Sequence, residues 1–282
     1  MTPSLALLAL PIALGAIMFG LGLGLTVADF TRVARMPKAA GAALACQLLV
    51  LPAACFGLVL LFRLPPMLAV GMMLLAASPG GAAANLYSHL FRGDVALNIS
   101  LTAVNSVIAA VTMPFIANLA ITWFQPADLV VGLQFRKTLE VFLIVLVPVA
   151  IGMAVRAVRP GFAQAMDRPV RVASIAILLA VIVGAVLANR QDLTDNLVQL
   201  GGVAIVFCAV SLGVGYGVPR ALKVDKPQAI ACGFEVGIHN ATLAIVVAQS
   251  VLNQPEIALP AAVYAAVMFP MAALFGLWIR RT

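Results

Sequence analysis

The chain has 282 residues, of which 63% are hydrophobic and only 10% are charged. A soluble fold of this length does not need so much apolar surface, so the composition excludes the soluble globular classes. It predicts an all-α polytopic membrane protein.

Apolar runs separated by charged or proline-containing breaks predict nine transmembrane helices. Each run has roughly 20 residues, the length that an α-helix needs to cross the hydrocarbon core of a bilayer. No basic segment precedes the first run, so we do not expect a cleavable signal peptide. The predicted spans are residues 4–26, 39–62, 67–88, 95–123, 138–158, 171–189, 198–218, 229–251 and 257–279.

The Lys and Arg residues are distributed unequally between the two sides that alternating loops would face. Arg63, Arg136, Lys137 and Arg190 fall on one side, and the other thirteen of the seventeen fall on the opposite side. The positive-inside rule places the richer side in the cytoplasm, with the N-terminus outside and the C-terminus inside. An odd number of spans gives this orientation, so the net charge of +7 indicates topology rather than nucleic-acid binding.

The third predicted span, 67–88, has a break in its middle. Its sequence reads Ser78-Pro79-Gly80-Gly81 at that point. Proline removes a backbone donor and clashes with the preceding turn, and paired glycines loosen the chain, so we expect the helix to be interrupted there. Irregular backbone at membrane depth is tolerated only where it lines a cavity or is buried in protein.

The eighth predicted span, 229–251, is unusual because it contains Glu235. A bare carboxylate in hydrocarbon is strongly unfavourable, so intramembrane acids face a polar cavity or a partner and are functional candidates. Gly237 and then His239-Asn240 follow the acid closely. We therefore expect this helix to loosen at Gly237, and we expect an ion or solute site at the acid.

The two interrupted spans hold matching positions if the fifth span is a connector. A single transmembrane domain, 1–282, then divides into a first half 1–125, a connector helix 126–165 and a second half 166–282. The interrupted helix is third in each four-helix half, and the connector inverts one half relative to the other. Discontinuous helices at matching places in inverted repeats are typical of secondary-transporter binding sites. The alternative is that Pro and Gly serve only kinks and helix packing.

Few strongly polar side chains lie deep within the predicted spans. They supply carboxylate, amide and hydroxyl oxygens, which are the ligands that hard cations prefer. An individual Asn or Thr in a membrane helix often only bonds across helices, and a Thr can bond its own i−4 carbonyl. The polar set comprises Gln47, Asn85, Asn98, Thr102, Asn105, Glu235, His239 and Asn240.

His239 is open to three interpretations. On an intact helix it would lie one turn from Glu235 and could donate a hydrogen bond to that carboxylate. It could instead carry a proton or contact a substrate. The sequence alone leaves these alternatives open.

Motifs of enzymes and tightly bound cofactors are not found in the sequence. There is no HExxH, no GxSxG, no pair of intramembrane aspartates and no phosphate-binding loop. The four cysteines lie in apolar stretches without a CxxC pair, so we expect small buried side chains rather than disulfides or a zinc site. We therefore expect a protein that is not an enzyme and has no cofactor.

Three motifs together resemble one known family. They are Ser78-Pro79-Gly80-Gly81-Ala82-Ala83-Ala84-Asn85, Arg92-Gly93-Asp94-Val95-Ala96-Leu97 and Glu235-Val236-Gly237-Ile238-His239-Asn240. They resemble the bile acid:sodium symporter family, and the similarity covers essentially the whole chain. It implies a core and a panel domain, with two discontinuous helices that cross near two sodium sites. It also implies that this chain begins at what resembles the second of the ten spans of bacterial members.

The resemblance implies roles for individual positions in two sodium sites and one substrate site. The first sodium site would be formed by Asn85, Asn98, Thr102 and Glu235. The second would use Gln47, Glu235, the side chain of His239, and backbone carbonyls near Val236 and Ile238. The residues facing an anionic substrate would be Gly81, Ala82, His239 and Asn240.

Four positions depart from the family pattern. Ala84 stands where a serine is expected, and Asn98 stands where a serine is common. Ala82 lacks the hydroxyl of a substrate contact, and His239 replaces a glutamine. Asn98 can substitute at the first sodium site, whereas His239 makes proton coupling an alternative at the second.

These observations lead to a functional hypothesis. We expect a sodium-coupled symporter that imports a small organic anion across the bacterial inner (plasma) membrane by alternating access. Its partners would be Na⁺ as the coupling ion, the organic anion and the lipid bilayer, with no nucleic acid, and it would function as a monomer. The alternatives are a proton-coupled carrier of organic anions or metalloids with the same fold, and a membrane receptor that does not transport its ligand.

Overall fold

The computed structural model describes residues 15–16, 18–124, 135–166 and 190–281, with isolated positions between 169 and 183. These residues form helices joined by short turns, with a single isolated β-bridge among them. Residues 4–14 of the first predicted span and nearly all of the sixth, 171–189, lie outside the described residues.

The helices follow the predicted spans closely in most of the described chain. The helices are α1 (Val27–Arg35), α2 (Pro37–Ala45), α3 (Leu51–Leu61), α4 (Pro66–Ala76), α5 (Ala83–Leu90), α6 (Val95–Phe124), α7 (Phe135–Val158), α8 (Arg190–Ala221), α9 (Lys226–Gly237), α10 (Ala241–Val246) and α11 (Leu259–Arg281). A π-helical turn, Cys46–Val50, joins α2 to α3, and a second one, Val247–Val251, extends α10. A 3₁₀ turn, Pro255–Ala258, precedes α11.

Four helical stretches within the described ranges are long and apolar enough to cross a membrane. They are Pro37–Leu61, Val95–Phe124, Val198–Ala221 and Pro255–Arg281, and shorter apolar helices accompany them. Large apolar side chains such as Phe115 on α6 are exposed on outer faces, as in proteins that contact lipid. The predicted all-α membrane class is confirmed, and the number of nine spans stays a prediction.

Helix α1 was not predicted, because residues 27–35 were assigned to the loop between the first two spans. The carboxylate of Asp29 accepts hydrogen bonds from the backbone N–H of Thr26, at 2.7 Å, and from its hydroxyl, at 2.8 Å. This capping box begins the helix. Arg32 forms an ion pair with Asp29 at 2.9 Å, one turn further along. The Thr-x-x-Asp spacing in the sequence was the signal for this helix.

The turns before α4 and α9 have the same construction. Arg63 and Lys223 both adopt positive φ angles, of 52° and 60°. The next residue in each turn, Leu64 or Val224, donates its N–H to a carbonyl five residues earlier, at 3.1 and 2.9 Å. This is the hydrogen bond that closes a Schellman-type helix end. Two helices that were predicted to occupy equivalent positions are therefore entered through equivalent turns.

A second pair of turns lies beyond the second half of each interrupted helix. Arg92, after α5, has a φ of 60°, and Asn253, after the π-helical turn that extends α10, has a φ of 55°. The members of both pairs are separated by about 160 residues along the chain. Similar local structure thus recurs at the beginning and the end of both interrupted helices.

Glycines allow α8 and α9 to pack closely. A Cβ atom at Gly237 would overlap the side chain of Leu212, and one at Gly215 would overlap that of Val236. Small residues at such contacts let two helix backbones approach, which is how membrane helices gain packing energy. This contact fixes the end of α9, where the break begins.

Candidate functional site

The two interrupted helices cross at their breaks and bond to each other there. Gly80 and His239 form an antiparallel bridge. On either side of it, the N–H of Gly81 donates to the carbonyl of Ile238 at 2.6 Å, and the N–H of Asn240 donates to the carbonyl of Pro79 at 2.8 Å. Some of the backbone groups that each break frees are thereby satisfied by the other break.

The break in the third span requires glycine because of close approach rather than backbone conformation. A Cβ atom at Gly80 would overlap the carboxylate of Glu235, and one at Gly81 would lie 3.0 Å from the carbonyl oxygen of His239. Neither glycine has a positive φ angle. The Gly80-Gly81 pair therefore lets the acid and the second break lie against bare backbone.

Glu235 is the centre of the polar interior. Its side chain is only 2% exposed, and within the described ranges no Lys, Arg or His pairs with it. Thr102 donates its hydroxyl to Oε2 at 2.5 Å. The amide of Asn105 and the backbone N–H of Gly80 also face the carboxylate, yet Oε1 has no hydrogen-bond partner in the described part of the chain. One carboxylate oxygen thus accepts a hydrogen bond from Thr102, while the other is buried without a donor among the described residues.

Asn98 is oriented by two hydrogen bonds that use both protons of its amide. Nδ2 donates to the hydroxyl of Ser88 at 2.9 Å and to the carbonyl of Ala231 at 2.8 Å. The side-chain oxygen is left as an unused acceptor among the described residues. Thr102, one turn along, lies near the carbonyl of Asn98 at 3.0 Å as well as the carboxylate of Glu235. Both predicted interpretations of Thr102 thus have a geometric basis.

Gln47 lies in the π-helical turn and caps the first break. Its Nε2 donates to the carbonyls of Ser78, at 2.8 Å, and Ala76, at 3.3 Å. Its oxygen again has no donor among the residues described. A π-turn is often found at a functional site, since it redirects one side chain out of the regular helix.

Buried oxygen atoms without donors are concentrated around the crossing. Native proteins leave few such atoms, so each needs an explanation. All of them are acceptors, which a bound cation would satisfy and a further acceptor would not. Within the described ranges, these atoms at the crossing are Gln47 Oε1, Asn85 Oδ1, Asn98 Oδ1, Asn105 Oδ1 and Glu235 Oε1.

His239 does not interact with Glu235 in the way that an intact helix would allow. Helix α9 ends at Gly237, and neither ring nitrogen of His239 bonds to Glu235, because the ring faces the backbone of Ser78 instead. The 1% exposed ring stacks on Phe207 at 5.4 Å between centroids and meets Tyr264 edge-on at 5.3 Å. The alternative in which His239 donates to Glu235 is therefore wrong.

The predicted substrate residues lie at the beginning of the second half-helices. The side-chain oxygen of Asn240 accepts the N–H of Leu243 at 3.1 Å and so caps α10. Ala82, which precedes α5, is exposed. Ala84 is fully buried and supplies no hydroxyl. The N-terminal ends of α5 and α10 thus both begin at the crossing.

Two functional candidates, Ser88 and Tyr264, were not predicted from the sequence, and a third, Asn105, was predicted without an assigned site. Asn105 was in the polar set but had no assigned site, although it faces Glu235. Ser88 accepts from Asn98, and only its i+3 spacing from Asn85 pointed to it. The hydroxyl of Tyr264 donates to the carbonyl of Gly237 at 2.8 Å. Its signal was a tyrosine in an apolar span, since a buried phenol normally finds a partner.

Comparison with known proteins identifies the family. Residues 11–196 match the Sodium Bile acid symporter family. The chain belongs to this family. It is therefore a membrane transport protein of the sodium symporter class, which confirms the resemblance stated above.

Relatives in this family include proteins of bacteria, plants and animals. An uncharacterized sodium-dependent transporter of Bacillus subtilis is 30% identical over 90% of this chain and 77% of its own length. A probable chloroplastic sodium/metabolite cotransporter of Oryza sativa is 27% identical over 89% of this chain, which spans 59% of that relative. The human ileal sodium/bile acid cotransporter is 25% identical over 88% of this chain and 71% of its own length.

Proposed function

We propose that this protein is a sodium-coupled symporter that imports a small organic anion across the bacterial inner membrane by alternating access. One observation carries the proposal. Among the described residues, a buried carboxylate at the point where two interrupted helices cross has no counter-ion, and the buried side-chain oxygens of Gln47, Asn85, Asn98 and Asn105 have no donors. An alkali cation would neutralise the charge and use those oxygens at once.

The first cation site is formed by Asn85, Asn98, Thr102 and Glu235, and Asn105 joins it. In support, Thr102 and Asn105 face the carboxylate, and Asn98 is fixed by its two amide bonds. The oxygens of the three asparagines have no other partner in the described chain. One carboxylate among neutral oxygens favours a monovalent ion over a divalent one, because the net charge of the ligands is only −1.

The second cation site uses Gln47, Glu235, His239 and the carbonyls near Val236 and Ile238. Gln47 offers an oxygen that has no donor among the described residues, and His239 offers a ring nitrogen. The first site takes ligands from both interrupted helices, and in the second site Gln47, which donates to the carbonyls of Ala76 and Ser78, connects the first break to ligands on the other helix. Binding energy of the cations therefore stabilises the crossed arrangement.

The organic anion binds beside the crossing, at Gly81, Ala82, His239 and Asn240. Helices α5 and α10 begin there. Helix N-termini favour negative charge through free N–H groups and the helix dipole. Cations bound at the two proposed sites add to this attraction. Anion affinity thus depends on prior cation binding, which is the basis of coupled import.

The architecture that we propose has nine spans, with the N-terminus outside and the C-terminus in the cytoplasm. It comprises the halves 1–125 and 166–282, inverted about the connector 126–165, in a monomer. The matched turns at Arg63 and Lys223, and the matched breaks, support the repeat. Alternating access then follows from rocking of a panel against the core that contains the crossing.

The test combines a ligand screen with transport. Purified protein is heated with individual organic acids, including keto acids, sulfonates and a bile acid, in NaCl or in KCl at equal ionic strength. We expect at least one acid to raise the Tm in NaCl only, and a sodium gradient to drive its uptake into proteoliposomes. Uptake that follows pH and ignores Na⁺ would favour a proton-coupled carrier, and binding without counterflow would favour a receptor.

A further inference from the structure

Tyr264 holds the end of the helix that carries Glu235. It lies on α11, has no exposed surface and donates its hydroxyl to the carbonyl of Gly237, the last residue of α9, at 2.8 Å. At the end of a helix the last carbonyls lack an intrahelical donor. Tyr264, on another helix, supplies the missing donor for one of these carbonyls.

Some of the other carbonyls at this break have partners, whereas those of Glu235 and Val236 lack their helical donors among the described residues. Phe234 accepts from the N–H of Ile238 at 2.9 Å, and Ile238 accepts from the N–H of Gly81 at 2.6 Å. The N–H of Asn240, which would reach Val236 in an uninterrupted helix, bonds instead to Pro79. Among the described residues, the carbonyl of Val236 therefore has neither its helical donor nor a substitute.

At the first break, too, a side chain from outside the interrupted helix donates to backbone carbonyls. Gln47 donates from a neighbouring helix to the carbonyls of Ala76 and Ser78 at the end of α4. In each interrupted helix, the carbonyls at the end of the first half thus accept a hydrogen bond from a side chain on another element. The donor satisfies some carbonyls and determines which others stay available.

We propose that Tyr264 is a positioning residue for the second cation site. Its hydroxyl fixes the Gly237–Ile238 peptide so that the carbonyl of Val236 stays available to the cation. The ring of Tyr264 lies 5.3 Å from that of His239 and holds this other ligand of the site in an edge-on orientation. The inference rests on the proposed sodium coupling. No motif that marked the break includes this residue, which lies 27 positions beyond Gly237 in sequence.

Tyr264→Phe tests the inference, with Tyr87→Phe as its matched control. Both substitutions keep the ring and delete a hydroxyl that donates to a backbone carbonyl, since Tyr87 bonds to Phe269 at 2.9 Å. Thermal unfolding is followed in detergent during titration with NaCl, with KCl replacing it at constant ionic strength. Both variants should lose similar stability in KCl. Only Tyr264→Phe should bind Na⁺ more weakly, by roughly tenfold, the effect of about one lost hydrogen bond.

The outcomes separate this inference from the proposed function. If wild-type protein is not stabilised by Na⁺ more than by K⁺, sodium coupling itself fails. If wild type responds but both variants keep its Na⁺ affinity, or both lose it equally, Tyr264 has no special positioning role. Binding of ²²Na⁺ to native membranes containing each variant gives the same comparison without extraction, should Tyr264→Phe be unstable in detergent.

Discussion

The carboxylate of Glu235 lies directly against the backbone of Gly80, so closely that any side chain at position 80 would overlap it. The acid of one interrupted helix thus occupies the break of the other. This contact explains why a glycine is needed there in the absence of a positive φ angle. It also makes the acid and both breaks a single structural unit.

Gly80→Ala should disrupt this unit. The added methyl group displaces the carboxylate, so we expect loss of Na⁺-dependent stabilisation and a fall in stability of about 1–3 kcal/mol, as for an overpacked core. Gly41→Ala on α2 is the control, because its Cβ would meet open space. That variant should keep the Na⁺ response in the same thermal titration. An unchanged response in Gly80→Ala would contradict the arrangement.

Thr102→Val should weaken cation binding with little change in shape. Valine keeps the branched side chain but removes the hydroxyl that donates to Glu235 at 2.5 Å. We expect apparent Na⁺ affinity to fall roughly tenfold, and Thr102→Ser to retain most of it. Calorimetric titration with NaCl measures both. Equal loss in the serine and valine variants would show that the hydroxyl is not what matters.

Gln47→Glu should destabilise the first break. The substitution removes the amide protons that reach Ala76 and Ser78 and places a carboxylate against their carbonyls. We expect a loss of about 1–3 kcal/mol in the free energy of unfolding. Gln228→Glu is the control, because its amide reaches only the sulfur of Met36, at 3.6 Å. Denaturant titration compares the two, and similar losses would contradict a capping role for Gln47.

Asp29→Ala should affect helix α1 and leave the cation site unchanged. It removes the capping box with Thr26 and the ion pair with Arg32. Loss of a cap costs about 1 kcal/mol, and loss of the part-buried ion pair, in which the Asp29 side chain is 10% exposed, adds to this. We expect a slightly lower Tm with the same Na⁺ affinity. A changed Na⁺ affinity would mean that α1 is coupled to the crossing.

Local chemistry made the breaks predictable. The sequence at 79–81 places a helix-breaking proline next to two glycines, and a buried acid such as Glu235 requires polar neighbours in any membrane fold. Those signals lie within a few residues of the features that they predict. The sequence therefore indicated the two interrupted helices and most of the polar set.

Contacts between distant elements could not be predicted in the same way. The bond from Tyr264 to Gly237, like that from Asn98 to Ala231, depends on which helix faces are brought together. One of the three alternatives for His239, donation to Glu235, required an intact helix, but the helix ends at Gly237, two residues before it. Its ring then follows the packing of Phe207 and Tyr264 rather than the helical period.

Direct measurement of Na⁺ binding to wild-type protein and to Glu235→Gln tests the central claim. Glutamine keeps the size of the side chain, removes its charge and replaces one carboxylate oxygen with an NH2 group. We predict saturable ²²Na⁺ binding to wild type that K⁺ does not displace, and no measurable binding to Glu235→Gln that remains folded by circular dichroism. Equal Na⁺ affinity in the two proteins would contradict the assignment of Glu235 as the coupling residue.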